Sequence, residues 1–223
     1  MRILVADAET FFSKDFSLSK LSTEAYVRSP EFKCHMWGIW EPTRMASPVD
    51  ILPSMLDTND DVRQTLSSSA VIAHHAHFDG LILEHHYGIR PTFWFDTLSM
   101  ARLVLPQLKS HSLGALAGHF GLGCKSVPYN DFRGVRELGA GLYSRLSEGC
   151  KHDVWLTWNI FRALAPLVPP DELRVIDSTI RMFTEPCLRL DRPRMEKFLL
   201  AERMRKAKAM IQAGEAMGLP FRP

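Results

Sequence analysis

Arg2-Ile3-Leu4-Val5-Ala6-Asp7-Ala8-Glu9-Thr10 is the stretch whose reading decides the fold. Its apolar residues run straight into two acids spaced i, i+2, and an apolar run of this length with polar flanks predicts a buried strand. Side chains alternate faces along a strand, so Asp7 and Glu9 leave on the same one. Two carboxylates desolvated side by side repel each other, and a cation between them relieves both costs. Their oxygens are hard ligands, suited to Mg2+ or Mn2+.

The 223-residue chain is 46% hydrophobic, enough to bury one substantial core with an appendage. Its 27 basic side chains nearly balance 25 acidic ones. That balance argues against broad coating of nucleic acid, yet leaves room for a local basic groove beside an acidic site. Cys34, Cys124, Cys150 and Cys187 are scattered without a C-x-x-C pair, which reads as a reduced protein rather than a disulfide framework. There is no apolar run of about 18 residues, and Met1-Arg2 leads directly into the first strand. A soluble cytoplasmic protein without a signal peptide is the expectation.

Outward from the first strand, a Ser-rich passage through Thr23 reads as a loop. Ala25 to Arg28 and Lys33 to Trp40 read as two further strands, completing a meander. Asp61 to Ser67 has a short helical pattern. Ala70 to His74 reads as a buried strand ending in His75-Ala76-His77-Phe78-Asp79-Gly80, after which Leu81 to Tyr87 returns to helical spacing. Phe93 to Phe95 is a strand, Asp96-Thr97 starts a helix to Leu105, and Ser112 caps another over Leu113 to Phe120. An irregular passage from Lys125 to Gly134 precedes a long helix over about Leu142 to Leu167, whose buried face could turn Asp153 toward Asp7 and Glu9. The pattern predicts an α/β domain around a mixed sheet. A second helix past Asp171 and a basic one over Pro193 to Ala213, with Arg194, Lys197, Arg203, Arg205, Lys206 and Lys208, form an extension, read as a solvated face or a nucleic-acid arm.

Asp7-Ala8-Glu9-Thr10, His75-Ala76-His77-Phe78-Asp79 and Cys150-Lys151-His152-Asp153-Val154 resemble, in order, the three motifs of the DEDD exonuclease superfamily, and most nearly the 3′–5′ proofreading domain of family-A, phage-type DNA polymerases. The likeness extends through Phe95-Asp96-Thr97 and Ser112 to Ala117, and the passage Pro186 to Asp191 is similar to the lead into a polymerase domain. It implies a ribonuclease-H-like domain over residues 1–168 and a helical extension or linker over 169–223. It implies that Asp7, Glu9, Asp79 and Asp153 hold two divalent cations, Mg2+ or Mn2+, and are the catalytic residues. The implied substrate is a single-stranded or frayed DNA 3′ end, beside a polymerase domain or subunit. Thr10, Phe11, Phe12, His75 and Phe78 are the candidates for holding its last nucleotides, with Lys125 and Lys151 as phosphate contacts.

The pattern is broken at three positions. The tyrosine subclass carries Tyr four residues before the last Asp, to orient the attacking water, and Gly149 stands there. The histidine subclass carries His five before it, where Glu148 stands, and His75 takes a place usually held by Asn. Tyr143 or His152 filling the space at 149, or a slowed or disabled site, are the open readings. Were water activation limiting, Gly149→Tyr would raise the rate. Two other functions compete: an exonuclease-like scaffold that binds single strands, and an RNA-processing exonuclease of the same superfamily. The density of His74, His75, His77, His85 and His86 offers structural zinc as a rival site.

Overall fold

The computed structural model describes residues 2–218; the outermost residues of the two expected domains, Met1 and 219–223, lie outside that range. The reading of the opening stretch holds. Strand β1 (Ile3–Thr10) is central in a five-stranded mixed sheet, with β2 (Cys34–Trp40), β3 (Val49–Ile51), β4 (Ala70–Ala73) and β5 (Phe93–Asp96) in the order β3-β2-β1-β4-β5. The first three strands form an antiparallel meander, and β4 and β5 add in parallel on the other side of β1.

The third meander strand is not the one expected. Thr23–Val27 forms a short helix, α1, whose N-cap Ser22 accepts from the Ala25 N–H at 3.2 Å. Tyr26 and Val27 are both buried, as neighbours on one helix side can be when both face a core. Their β-branched and aromatic character favours the strand expected over Ala25 to Arg28; the Ser22 cap and packing outweigh it.

Helices cover both faces. On one lie α1, α2 (Pro53–Thr58), α3 (Asp60–Ser67, capped by Asn59), α4 (Ala76–Tyr87) and α8 (Pro170–Thr184). On the other lie α5 (Thr97–Val104), α6 (Leu113–His119) and the long α7 (Ala140–Leu164). Asp96 caps α5 by accepting from the Leu98 and Ser99 N–H groups, and Ser112 caps α6 through the Ala115 N–H. The period of two along β1 is visible in the packing: Leu4, Ala6 and Ala8 enter the core under α4, while Val5 enters the core under α7.

A first compact unit runs through Glu185 and a second begins at Pro186. The sequence reading placed the division at 168/169; α8 packs against α4 and β5, with Ile180 fully buried, and so belongs with the first unit. The second unit contains helix α9 (Arg192–Ala216), started by Asp191 accepting from the Arg194 N–H, with no buried residue. Among the described residues no helix is long and apolar enough to cross a membrane.

Candidate active site

The site grows from the C-terminal half of β1. Asp7 pairs with Gly38 of β2. A Cβ at Gly38 would stand 2.8 Å from both Cys150 Sγ and Val154 Cγ2, so the bare backbone there is what lets α7 lie close to the sheet. Residues 150 and 153 are three apart on α7 and therefore neighbours on its surface. Both are buried, and the Cys150 thiol donates to Asp7, its Sγ 3.8 Å from Oδ2 and 3.7 Å from the main-chain oxygen.

Asp79 arrives from the other side of β1. The parallel ladder to β4 runs from Ile3–Ala70 to Val5–Ile72; beyond it the Ala8 N–H donates to Asp79 Oδ1 at 3.0 Å. His75 turns the chain from β4 into α4 with φ 73, a left-handed conformation uncommon outside glycine. Its N–H and that of Ala76 donate to Asp96 Oδ1 at 2.7 and 3.2 Å, which holds the turn and aims the first turn of α4 at β1.

Two residues from the irregular passage close the cluster. The Tyr129 hydroxyl lies 2.5 Å from Glu9 Oε1 and 2.9 Å from Asp153 Oδ2, joining β1 to α7. Lys125 Nζ donates to the same Asp153 Oδ2 at 2.6 Å and sits 4.6 Å from the centre of the Tyr129 ring. Asp153 is thus on the same side of the sheet as Asp7 and Glu9, the spatial condition for any shared site.

Burial pushes the Asp7 carboxyl up to about 7; the Asp153 charge adds to the shift, and the Lys125 ammonium opposes it. Burial, then the charge of Asp7, also holds Glu9 and Asp79 well above the usual carboxylate range. Desolvated acids that resist ionisation beside each other are what a bound cation would relieve. Among the described residues, Asp7, Glu9 and Cys150 offer ligand atoms all within 4.8 Å of one another. Burial, then Asp7, holds the Cys150 thiol well above its ordinary value. The two carboxylates of the group, Asp7 and Glu9, are hard oxygen ligands of the kind that suit Mg2+ or Mn2+.

The other sequence candidates divide. Phe11 is corrected: it is buried against Phe16 and packs in the core, where it cannot stack a base. The Thr10 hydroxyl pairs with the Tyr26 hydroxyl at 2.9 Å. Phe12, Phe78 and His75 are half-buried and keep some open surface. Tyr143 turns away to Asp50, 2.9 Å from Oδ2, and Lys151 pairs with the same carboxylate at 3.4 Å. His152 bonds the Cys124 carbonyl at 3.2 Å. Neither Tyr143 nor His152 fills the space at 149. The histidines make separate contacts: His74 with Thr97, His77 with Phe183, His85 with Arg28 and His86 with the Val27 carbonyl. Among the described residues no three of them form a metal-holding group.

Tyr129 is the residue the sequence reading missed. It stands in a passage without periodicity, and its only sequence signal is a lone aromatic between Pro128 and Asn130.

No family of known sequences and no curated protein matches the chain. Solved structures do match its fold. Brucella melitensis NrnC with bound Mg2+ superposes with TM-score 0.56 and 14% identity, over 83% of this chain and 84% of that one. Another structure of the same protein is bound to pGG. Escherichia coli RNase D, an exoribonuclease involved in structured RNA processing, matches with TM-score 0.57 and 14% identity over 81% of this chain and 45% of its own. The catalytic core of RRP6 from Trypanosoma brucei gives 0.52 and 17%, over 82% and 46%. At such identities the likeness shows the fold alone, and it is the ribonuclease-H-like fold expected from the sequence. The association with a polymerase, implied by the sequence resemblance, finds no support among these matches.

Proposed function

We propose that the chain is a divalent-cation-dependent 3′–5′ exonuclease that shortens single-stranded RNA or short oligonucleotides. The observation that carries this reading is the meeting of Asp7, Glu9, Asp79 and Asp153, from three separate elements, around the end of β1. A scaffold has no use for four desolvated acids whose repulsion costs stability. These four would hold the cations, which supply activation of a water nucleophile and stabilisation of the leaving 3′ oxygen.

The chain's own groups do the positioning. The Ala8 N–H fixes the Asp79 oxygen that faces β1. Lys125 places positive charge at the mouth of an otherwise anionic cluster, where a phosphodiester must approach. The half-buried rings of Phe12 and Phe78, beside the β1 and α4 ends, are placed to stack terminal bases, with Thr10 and His75 at their margin. The preference for RNA or short oligonucleotides is supported by what the fold's neighbours NrnC and RNase D are described as binding or processing.

Matched 5′-labelled RNA and DNA single strands, incubated with Mg2+ or Mn2+, test the proposal. A ladder of products shortened from the 3′ end, faster on RNA or on the shortest strands and lost on chelation, is the expected result. Equal trimming of DNA would favour proofreading. No trimming of either strand would leave the scaffold reading in place.

A further inference from the structure

Resting on the nuclease reading, we infer that Tyr129, delivered by the passage before α7 rather than by α7 itself, is the residue that orients the attacking water, and that Gly149 is the space it needs. Gly149 is buried on the face of α7 that carries Cys150 and Asp153. A Cβ built there would lie 3.6 Å from the Tyr129 hydroxyl and 3.3 Å from Val127 Cβ and Cγ2. The volume that a large α7 side chain would take at 149 is therefore already filled by residues 127 and 129. Gly within a helix costs about 1 kcal/mol relative to Ala, so helix stability does not explain its presence, whereas the close approach of this passage does.

The hydroxyl has the contacts the role requires. It reaches one carboxylate on β1 and one on α7, so it stands between the two elements that would share a cation. A phenol has one proton to donate and lone pairs to accept with, so it can hold one carboxylate and a water together. Its ring is fixed as well as its tip: Phe132 lies 6.1 Å away centre to centre, Lys125 covers one face, and Val127 packs in the same apolar cluster. The passage is tied down at its end, where the Gly134 N–H donates to the Phe12 carbonyl at 2.7 Å. Tyr143 and His152, the nearer residues in sequence, are engaged elsewhere.

The test uses the full chain. Tyr129→Phe keeps the ring and deletes the hydroxyl; kcat on the labelled strand should fall about a hundredfold. KM for the strand, Mn2+ affinity measured by titration without substrate, and thermal midpoint should all stay at wild-type values. An unchanged kcat overturns the assignment. So does a loss confined to Mn2+ binding or stability, since that marks a merely structural hydroxyl. Gly149→Tyr supplies the second arm: the crowding at Val127 predicts a lower rate, and a higher one overturns the claim that the space belongs to Tyr129. A wild-type chain that trims neither RNA nor DNA fails differently, because it removes the nuclease reading and this assignment with it.

Discussion

The two faces of β1 are both packed under helices, and they do opposite things to the fold. Leu4, Ala6 and Ala8 share one buried apolar cluster with Leu81, Leu83 and Ile180 of α4 and α8, and burial of that kind stabilises in proportion to its area. Val5, Asp7 and Glu9 meet α7; there the same burial strips water from carboxylates and raises their pKa values. One face keeps the strand in place, and the other uses that rigidity to hold groups that would rather separate. The contrast separates the side chains of a strand that stabilise the fold from those held at a cost in stability.

The sharpest way to break the comparison is one substitution on each face. Asp7→Asn removes a charge at nearly constant shape; strand trimming should fall by about a thousandfold or more, while the melting midpoint without metal holds or rises. Leu4→Ala on the opposite face should cost about 2–5 kcal/mol, roughly 10 °C in midpoint, with kcat retained at temperatures where the variant is folded. An Asp7→Asn chain that melts early and still trims would erase the distinction between the faces.

Much of this contrast is legible in the sequence. The i, i+2 spacing after an apolar run places Asp7 and Glu9 together, and the strand, turn and helix around His75 to Asp79 are marked by apolar runs at both ends. Asp153 is legible through the 3.6-residue period of α7. The short helix Thr23–Val27 is not, because tertiary burial of Tyr26 outweighs the strand propensity of its neighbours. Tyr129 is hidden for another reason. It reaches Glu9 across 120 positions from a passage with no period, and the long-range contact that gives it meaning leaves no local pattern. The clue in the sequence was an absence at Gly149, which says that something fills the space without saying what.

Two glycines sharpen the comparison at a smaller scale. Gly38 faces α7, and a Cβ there would press on Cys150 and Val154 at 2.8 Å. Gly80 lies on the other layer, where a Cβ would meet Thr184 Cγ2 at 3.0 Å and the Trp94 ring at 3.2 Å. Each Ala substitution should cost about 1–3 kcal/mol by overpacking, read as a lower midpoint. Both should also lower kcat, Gly38→Ala because displacing α7 moves Asp153 away from Asp7, and Gly80→Ala because displacing the start of α4 strains the bond from the Ala8 N–H to the neighbouring Asp79. An unchanged kcat in Gly38→Ala at a lowered midpoint would mean that the site does not depend on the α7 seam.

The gentlest test titrates the costly face without mutating it. Asp7 has an unfolded pKa near 3.8 and a folded one of about 7, so between those values the native state binds more protons than the unfolded chain. The contribution of Asp7 to stability must then fall as pH rises through that window, the reverse of an acid held in a salt bridge. The slope from one such group is at most about 1.4 kcal/mol per pH unit, and exchange with solvent around half-buried Asp7 makes it shallower. Measured against Asp7→Asn, which cancels the opposite trend of His35 and His74 with their folded values of about 4, wild-type melts in a chelator should show the midpoint dropping by a few degrees from pH 5 to pH 8. Adding Mg2+ should recover more of it at pH 8, where the carboxylates are charged and can hold the ion, than at pH 5. Asp7→Asn should remove this part of the pH slope and shrink the Mg2+ recovery together, whereas Leu4→Ala should shift the whole curve down and leave its shape alone.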